Sequence, residues 1–214
     1  MKKIFFALMF FLCVFSVNAM SDYSNKTFCL GLSFPYMWHD YKSEDMDAVT
    51  LHGIGLNLNY RNMNDNMKIG LLVNADIFMP LSKTIAVDEN TMTTTYLKDY
   101  DYFFGLDMLV GIYTVFFKNG DINIPAGLGF NLDGFISKQK YGDTIVNESV
   151  YTLGVGLWAN VEINISKNMG VYFGSKFVYD FYHKLSNKAV VTTNHDGLSN
   201  CFSVIPAMGV LWHF

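Results

Sequence analysis

The sequence predicts an all-β protein: a closed antiparallel up-and-down transmembrane β-barrel of eight strands, preceded by a cleavable signal peptide. Three observations predict this fold. Apolar residues recur at every second position through eight segments, the apolar face of each segment excludes charge, and short connections alternate with long ones. Composition agrees but does not decide, because a soluble β-sandwich could also be 51% hydrophobic and 16% charged.

The first element is the signal peptide. Lys2 and Lys3 precede an almost wholly apolar run at 4–17, and small residues at 17–19 provide a cleavage site. The run is shorter than the roughly 20 apolar residues that a transmembrane helix needs. We therefore expect cleavage after Ala19, with a signal peptide at 1–19 and one barrel domain at 20–214.

The predicted strands follow as eight segments of alternating polarity. Their approximate ranges are 27–39, 51–61, 67–79, 99–117, 122–136, 150–163, 171–183 and 200–214. Alternate residues of a strand form two sets, which we call its two parities. In every segment one parity carries no Asp, Glu, Lys or Arg. A Lys or Arg on a lipid-facing strand costs about 2–4 kcal/mol at the bilayer midplane, so this parity is predicted to face lipid.

The other parity is polar and small, and it is predicted to face the lumen. It holds charged residues, several asparagines and 12 of the 17 glycines. A soluble sandwich or barrel has the inverse pattern, apolar inside and charged outside. Glycine fits the inner wall of a narrow barrel where bulky neighbours need room. Trp158 is accordingly predicted to lie opposite Gly127 or Gly129. The predicted inner charges are Lys68, Asp76, Asp101, Asp107, Asp133, Glu162, Lys176 and Asp180.

The connections alternate strictly in length. Three are short and turn-like, at 61–66, 118–121 and 166–170. Four are longer and polar, at about 40–50, 80–98, 137–149 and 184–199. An even number of strands brings both chain ends to the side of the short turns.

The chain ends on alternating residues, with Val210, Trp212 and Phe214 on the lipid parity. This ending, the signal peptide and the rhythm of strands resemble small outer-membrane barrels of the OmpA-transmembrane, OmpX and OmpW kind. The resemblance implies an outer-membrane location in a diderm bacterium, with both termini in the periplasm. It implies that these three residues form an assembly signal for the barrel-assembly machinery. It also implies contact with outer-membrane lipids and possible extracellular ligands for the long loops.

Three functions are compatible with this pattern. The first is a structural or surface-interaction role with a lumen filled by side chains. The second is a small OmpW-like channel or transporter for small or hydrophobic solutes. The third is a lipid A-modifying enzyme, for which the nearest group is His195-Asp196 with Ser199. These residues lie on a predicted loop, where spacing along the sequence alone does not bring a base within reach of a nucleophile. His39 with Asp40 is an equally weak candidate for a catalytic group.

We therefore predict no enzyme activity and no cofactor. We also predict no metal site, since the five histidines and the cysteines do not have the spacing of metal ligands. Nucleic acid is not an expected partner, because the net charge is −4 and no basic stripe exists.

Two residue types carry further expectations. Cys29 and Cys201 are predicted at opposite ends of neighbouring strands, too far apart for a disulfide, as free thiols that face inward. Pro35, Pro125 and Pro206 each lack a backbone donor. At each we expect a bulge or a position above the bilayer.

Overall fold

The computed structural model of the chain describes residues 24–43, 46–64, 68–86, 92–119, 121–141, 144–188 and 192–214. The predicted signal peptide and its predicted cleavage site lie outside the described residues. Within these ranges no helix is both long enough and apolar enough to cross a membrane.

The described chain forms ten strands and one 3₁₀ turn. Their bounds are β1 Ser24–Ser33, β2 Tyr36–Ser43, β3 Met46–Asn64, β4 Gly70–Ala86, β5 Met92–Tyr96, the 3₁₀ turn Leu97–Asp99, β6 Tyr100–Asn119, β7 Ile122–Tyr141, β8 Thr144–Asn164, β9 Met169–Lys188 and β10 Thr192–His213.

These strands close into a ring of eight positions. β1 and β2 share one position, because both pair with β3 on one side and β10 on the other. Antiparallel neighbours then run through β3, β4, β6, β7, β8, β9 and β10. β5 is additional and pairs with the far end of β4. The predicted eight-stranded up-and-down barrel is confirmed. We call the end with the short turns the terminal end and the other the hairpin end.

Proline interrupts the ladder at the predicted places. Pro35 separates β1 from β2, and there Phe34 N–H donates to the Pro206 carbonyl at 2.9 Å. Pro125 lies beside a bulge at Phe116, where the β6–β7 register shifts. Pro206 stays in register with Ser175 of β9. The backbone N–H that it lacks is therefore missing on its other side, toward Pro35, where the ladder is already interrupted.

The two faces of the wall have the predicted character. The lipid-parity side chains are mostly exposed apolar residues, whereas Asp76, Asp107 and Lys176 are buried inside the barrel. Trp158 pairs directly with Gly127, as predicted from the inner parity. Two of the predicted inner charges, Lys68 and Asp101, are exposed instead.

The predicted long loops are mostly strand. Antiparallel ladders continue well beyond the predicted strand ends, through Lys188↔Thr192 in β9–β10 and Tyr141↔Thr144 in β7–β8. The expectation of loops at 137–149 and 184–199 was therefore wrong. Backbone hydrogen bonds hold a hairpin together whatever its side chains, so polar composition did not end the ladder.

Candidate functional site

The lumen is the candidate site, and one layer in its half nearest the hairpin end is apolar. Six buried side chains from different strands meet across the bore, and Phe103 packs against them. Phe103 stacks on Phe135 with ring centroids 5.2 Å apart and lies 6.3 Å from the Phe78 ring. A methyl group at Gly105 would collide with the Phe78 ring, so this glycine makes room for the layer. The six residues are Met37, Leu51, Phe78, Phe135, Val150 and Ile205.

A buried ionic layer, centred on Lys176 of β9, lies next along the barrel. Its ammonium binds Asp76 at 2.7 Å and also contacts Asp107, and all three side chains are at most 1% exposed. Asn57 donates to Asp76 at 2.8 Å, and Asn131 donates to Asp107 at 3.2 Å. Asp76, Asp107 and Asp133 occupy directly paired positions of β4, β6 and β7. Three neighbouring strands thus bring carboxylates to one level, with a lysine from the far wall between two of them.

A second ion pair closes the lumen toward the terminal end. The Arg61 guanidinium contacts the Glu162 carboxylate, and both are buried. The same guanidinium lies 5.3 Å from the centroid of the Tyr113 ring and 5.2 Å from that of Trp158. Arg61 is the last residue of the predicted strand 51–61 and the first of the predicted turn 61–66, and it was not among the predicted inner charges. β3 continues to Asn64, and the inner parity then points Arg61 into the lumen.

Residues near the hairpin end also turn inward. Lys83 binds both Glu148 oxygens, at 2.6 and 2.5 Å, although both lie in predicted loops. His39 and His183 are buried as well. Lys83 was hidden from the sequence pattern by a bulge at Leu81, which shifts the parity of β4 by one residue.

The predicted assembly signal lies at the terminal end of β10. Trp212 pairs with Phe28 of β1, and their rings stack 6.1 Å apart. Phe214 N–H donates to the Lys26 carbonyl at 2.9 Å, while its side chain is 75% exposed. Val210 pairs with Leu30 in the same ladder. The three residues thus lie along the seam between the first and last strands.

Most side chains of the remaining enzymatic candidates lie outside the described residues. The backbone of 195–199 belongs to the β9–β10 hairpin, and its side chains lie outside the described residues, as does that of Asp40. Among the described residues no three His, Cys, Asp or Glu side chains are grouped to hold a metal ion. Cys29 and Cys201 are buried and form no disulfide, as predicted.

Comparisons with known proteins agree on the fold. No family model matches the chain, and no curated protein matches it. The chain is similar to outer membrane protein OprG from Pseudomonas aeruginosa, with a TM-score of 0.58, 11% identity, and coverage of 89% of this chain and 96% of that one. It is similar to Neisserial surface protein A, with a TM-score of 0.53, 11% identity, and coverage of 88% and 97%.

Ail, the attachment invasion locus protein of Yersinia pestis, in complex with the heparin analogue sucrose octasulfate, is also similar. Its TM-score is 0.51 at 14% identity, with coverage of 89% of this chain and 99% of that one. The chain therefore has the fold of the small outer-membrane β-barrels.

Proposed function

We propose that this protein is an outer-membrane barrel with a closed lumen that acts as a rigid scaffold and presents its extended hairpins at the cell surface. Its role is structural or surface-interacting, and it does not catalyse a reaction. The observation that carries this proposal is the lumen, closed in succession by an apolar layer, the Lys176 layer and the Arg61–Glu162 pair. An eight-stranded barrel has an interior only wide enough for side chains, and here they fill it.

Shortening the hairpins tests the surface role. Residues 137–149 are replaced by a two-residue Asn-Gly turn, which supports tight hairpins. Adhesion of expressing cells to immobilised heparin, mucin and serum proteins is compared with that of wild type. We expect lower adhesion to at least one surface with unchanged heat-modifiable migration on gels. If the expected loss is absent, the other hairpins are shortened in the same way, and unchanged adhesion of that variant to every surface would contradict the surface role.

The orientation that we propose places both termini in the periplasm. Epitope tags within 85–95 or 188–196 should then be reached by antibody on intact cells, whereas tags within Lys118–Asp121 should not. Antibody binding to the Lys118–Asp121 tag on unbroken cells would invert the orientation.

We further propose that Val210, Trp212 and Phe214 form the assembly signal, after export and cleavage at Ala19. Their position on the β1–β10 seam supports this, since the seam closes last if the strands add in order. Deleting Phe214 should lower outer-membrane insertion while export and signal cleavage continue. Full outer-membrane insertion of the protein without Phe214 would contradict its role in an assembly signal.

One observation favours transport of hydrophobic solutes as a second candidate function. β4 pairs with β6 only as far as Phe78↔Gly105, and β6 residues 100–104 pair with β7 alone among the described strands. This notch in the wall leads to the apolar layer, with Phe103 beside it.

Phe103→Ala separates the two candidates. If the notch conducts, this variant should take up a lipophilic dye faster than wild type in reconstituted vesicles. The control is Phe104→Ala, which removes the neighbouring ring on the outward face. Equal uptake by wild type, both variants and empty vesicles would exclude the transport function.

A further inference from the structure

A cavity of about 450 Å³ opens on the outer wall of the barrel, in its half nearest the terminal end. Its floor is formed by Ala126, Gly127 and Ala159, and large apolar side chains such as Leu128 and Leu157 border it. This volume lies within the range of about 300–1,000 Å³ of small-molecule sites. We call this feature the wall groove.

The register of the ladder explains why the groove exists. Thr114, Ala126, Ala159 and Ser175 occupy directly paired, lipid-parity positions on β6, β7, β8 and β9. The neighbouring row toward the hairpin end consists of large residues, Ile112, Leu128, Leu157 and Phe177. On the terminal side the bulge beside Pro125 pushes out Phe116, whose side chain is 75% exposed. A row of small residues between larger ones leaves a trough.

The chemistry of the groove selects a methylene chain. The hydroxyl of Thr114 donates to the Lys68 carbonyl at 2.7 Å, so its one hydrogen-bond donor is already used and only its acceptor lone pairs remain. The groove lies on the face that contacts lipid and is lined almost wholly by apolar atoms. No polar ligand would recover there the hydrogen bonds that it loses on leaving water.

Cations mark the end of the groove. Lys68 directly precedes Ile69, which lines the groove, and its side chain is exposed. Lys118 is also exposed, two residues beyond Phe116. In a dimer with its twofold axis along the membrane normal, these lysines would face their own copies at the same height, a repulsive arrangement. A phosphate group would instead complement them.

We propose that the wall groove binds one acyl chain of an anionic glycerophospholipid whose phosphate interacts with Lys68. The choice of glycerophospholipid over lipopolysaccharide rests on the proposed orientation, since the terminal end then lies in the inner leaflet. The bound lipid would fill the trough beside the Pro125 interruption.

The test is native mass spectrometry of the refolded barrel in mild detergent with added phosphatidylglycerol, phosphatidylethanolamine or lipopolysaccharide. Wild type should retain one phosphatidylglycerol per barrel. Ala126→Leu with Ala159→Leu fills the floor and should weaken the affinity for this lipid about tenfold, a loss of about 1.4 kcal/mol in binding. The matched control, Leu32→Phe with Leu56→Phe, adds bulk at a directly paired, exposed position on β1 and β3 and should retain the lipid.

The headgroup is tested separately. Lys68→Gln should abolish the preference for phosphatidylglycerol over phosphatidylethanolamine, whereas Lys26→Gln on β1 should not. Equal retention by the filled variant and wild type, with heat-modifiable migration intact in both, would overturn the groove. Preferential retention of lipopolysaccharide, or a dimer that only the filled variant loses, would overturn the proposed occupant. Retained phosphatidylglycerol together with an antibody-reachable Lys118–Asp121 tag would support the groove and contradict the orientation alone.

Discussion

Two lysines form ion pairs inside the same barrel, but their surroundings differ. Lys176 lies in the ionic layer between Asp76 and Asp107, where all three side chains are at most 1% exposed. Lys83 lies near the hairpin end, and its partner Glu148 keeps 13% of its side chain exposed. A charge left alone at Lys176's level has no access to water, whereas Glu148 can turn toward solvent. The position of an ion pair along the bore, more than the number of such pairs, therefore decides how much that pair contributes to the free energy of unfolding.

The largest expected effect comes from removing the central cation. Lys176→Met leaves two buried carboxylates without their cation, which should lower the free energy of unfolding by about 3–5 kcal/mol. Urea unfolding in lipid vesicles, followed by gel migration, measures it. Adding Asp76→Asn and Asp107→Asn should restore most of the loss, because the two carboxylates that bind Lys176 are then replaced by neutral amides. If Lys176→Met alone were as stable as wild type, the ion pairs of Lys176 would have no role in stability.

Arg61 tests whether shape matters beside charge. Arg61→Lys keeps the cation but loses the planar group that lies against Tyr113 and Trp158. We expect a loss of about 1–2 kcal/mol in the same unfolding measurement. Arg61→Met should cost more, since it strands Glu162. If the lysine and methionine variants are equally destabilised, the charge has no role in the pairing.

The ion pair at the hairpin end should give a smaller effect. Lys83→Met should cost about 1 kcal/mol, because Glu148 regains water after the loss of its partner. Proteolysis of the hairpins in intact vesicles should rise before global unfolding changes. A loss as large as that of Lys176→Met would remove the difference between the two regions.

The smallest effect is expected at the surface. Lys138 and Asp101 lie 3.9 Å apart and are each close to half exposed. Lys138→Gln should change the free energy of unfolding by less than about 0.5 kcal/mol, and less again in high salt. A larger, salt-independent loss would show that this pair is more deeply embedded than its exposure indicates.

Much of the fold could be predicted because strand alternation has a period of two, so lipid-facing and lumen-facing positions separate by parity alone. Trp158 opposite Gly127 followed from that rule. The rule fails where a bulge adds a residue, and it therefore missed Lys83 beyond Leu81. It also missed Arg61, since nothing in an asparagine-rich segment marks where a ladder ends. The pairing of Lys176 with carboxylates on β4 and β6 depends on barrel closure, which no local pattern encodes.

Planar-bilayer recording on the refolded monomer tests the closed lumen most directly. Single-channel conductance depends on a continuous aqueous path, and open porins use about 16–18 strands to provide one. We predict silent membranes for wild type, and also for a variant that combines Lys176→Ala and Arg61→Ala, because the apolar layer that includes Phe78 and Phe135 still crosses the bore. Stable, porin-sized openings from the wild-type monomer would contradict the closed lumen.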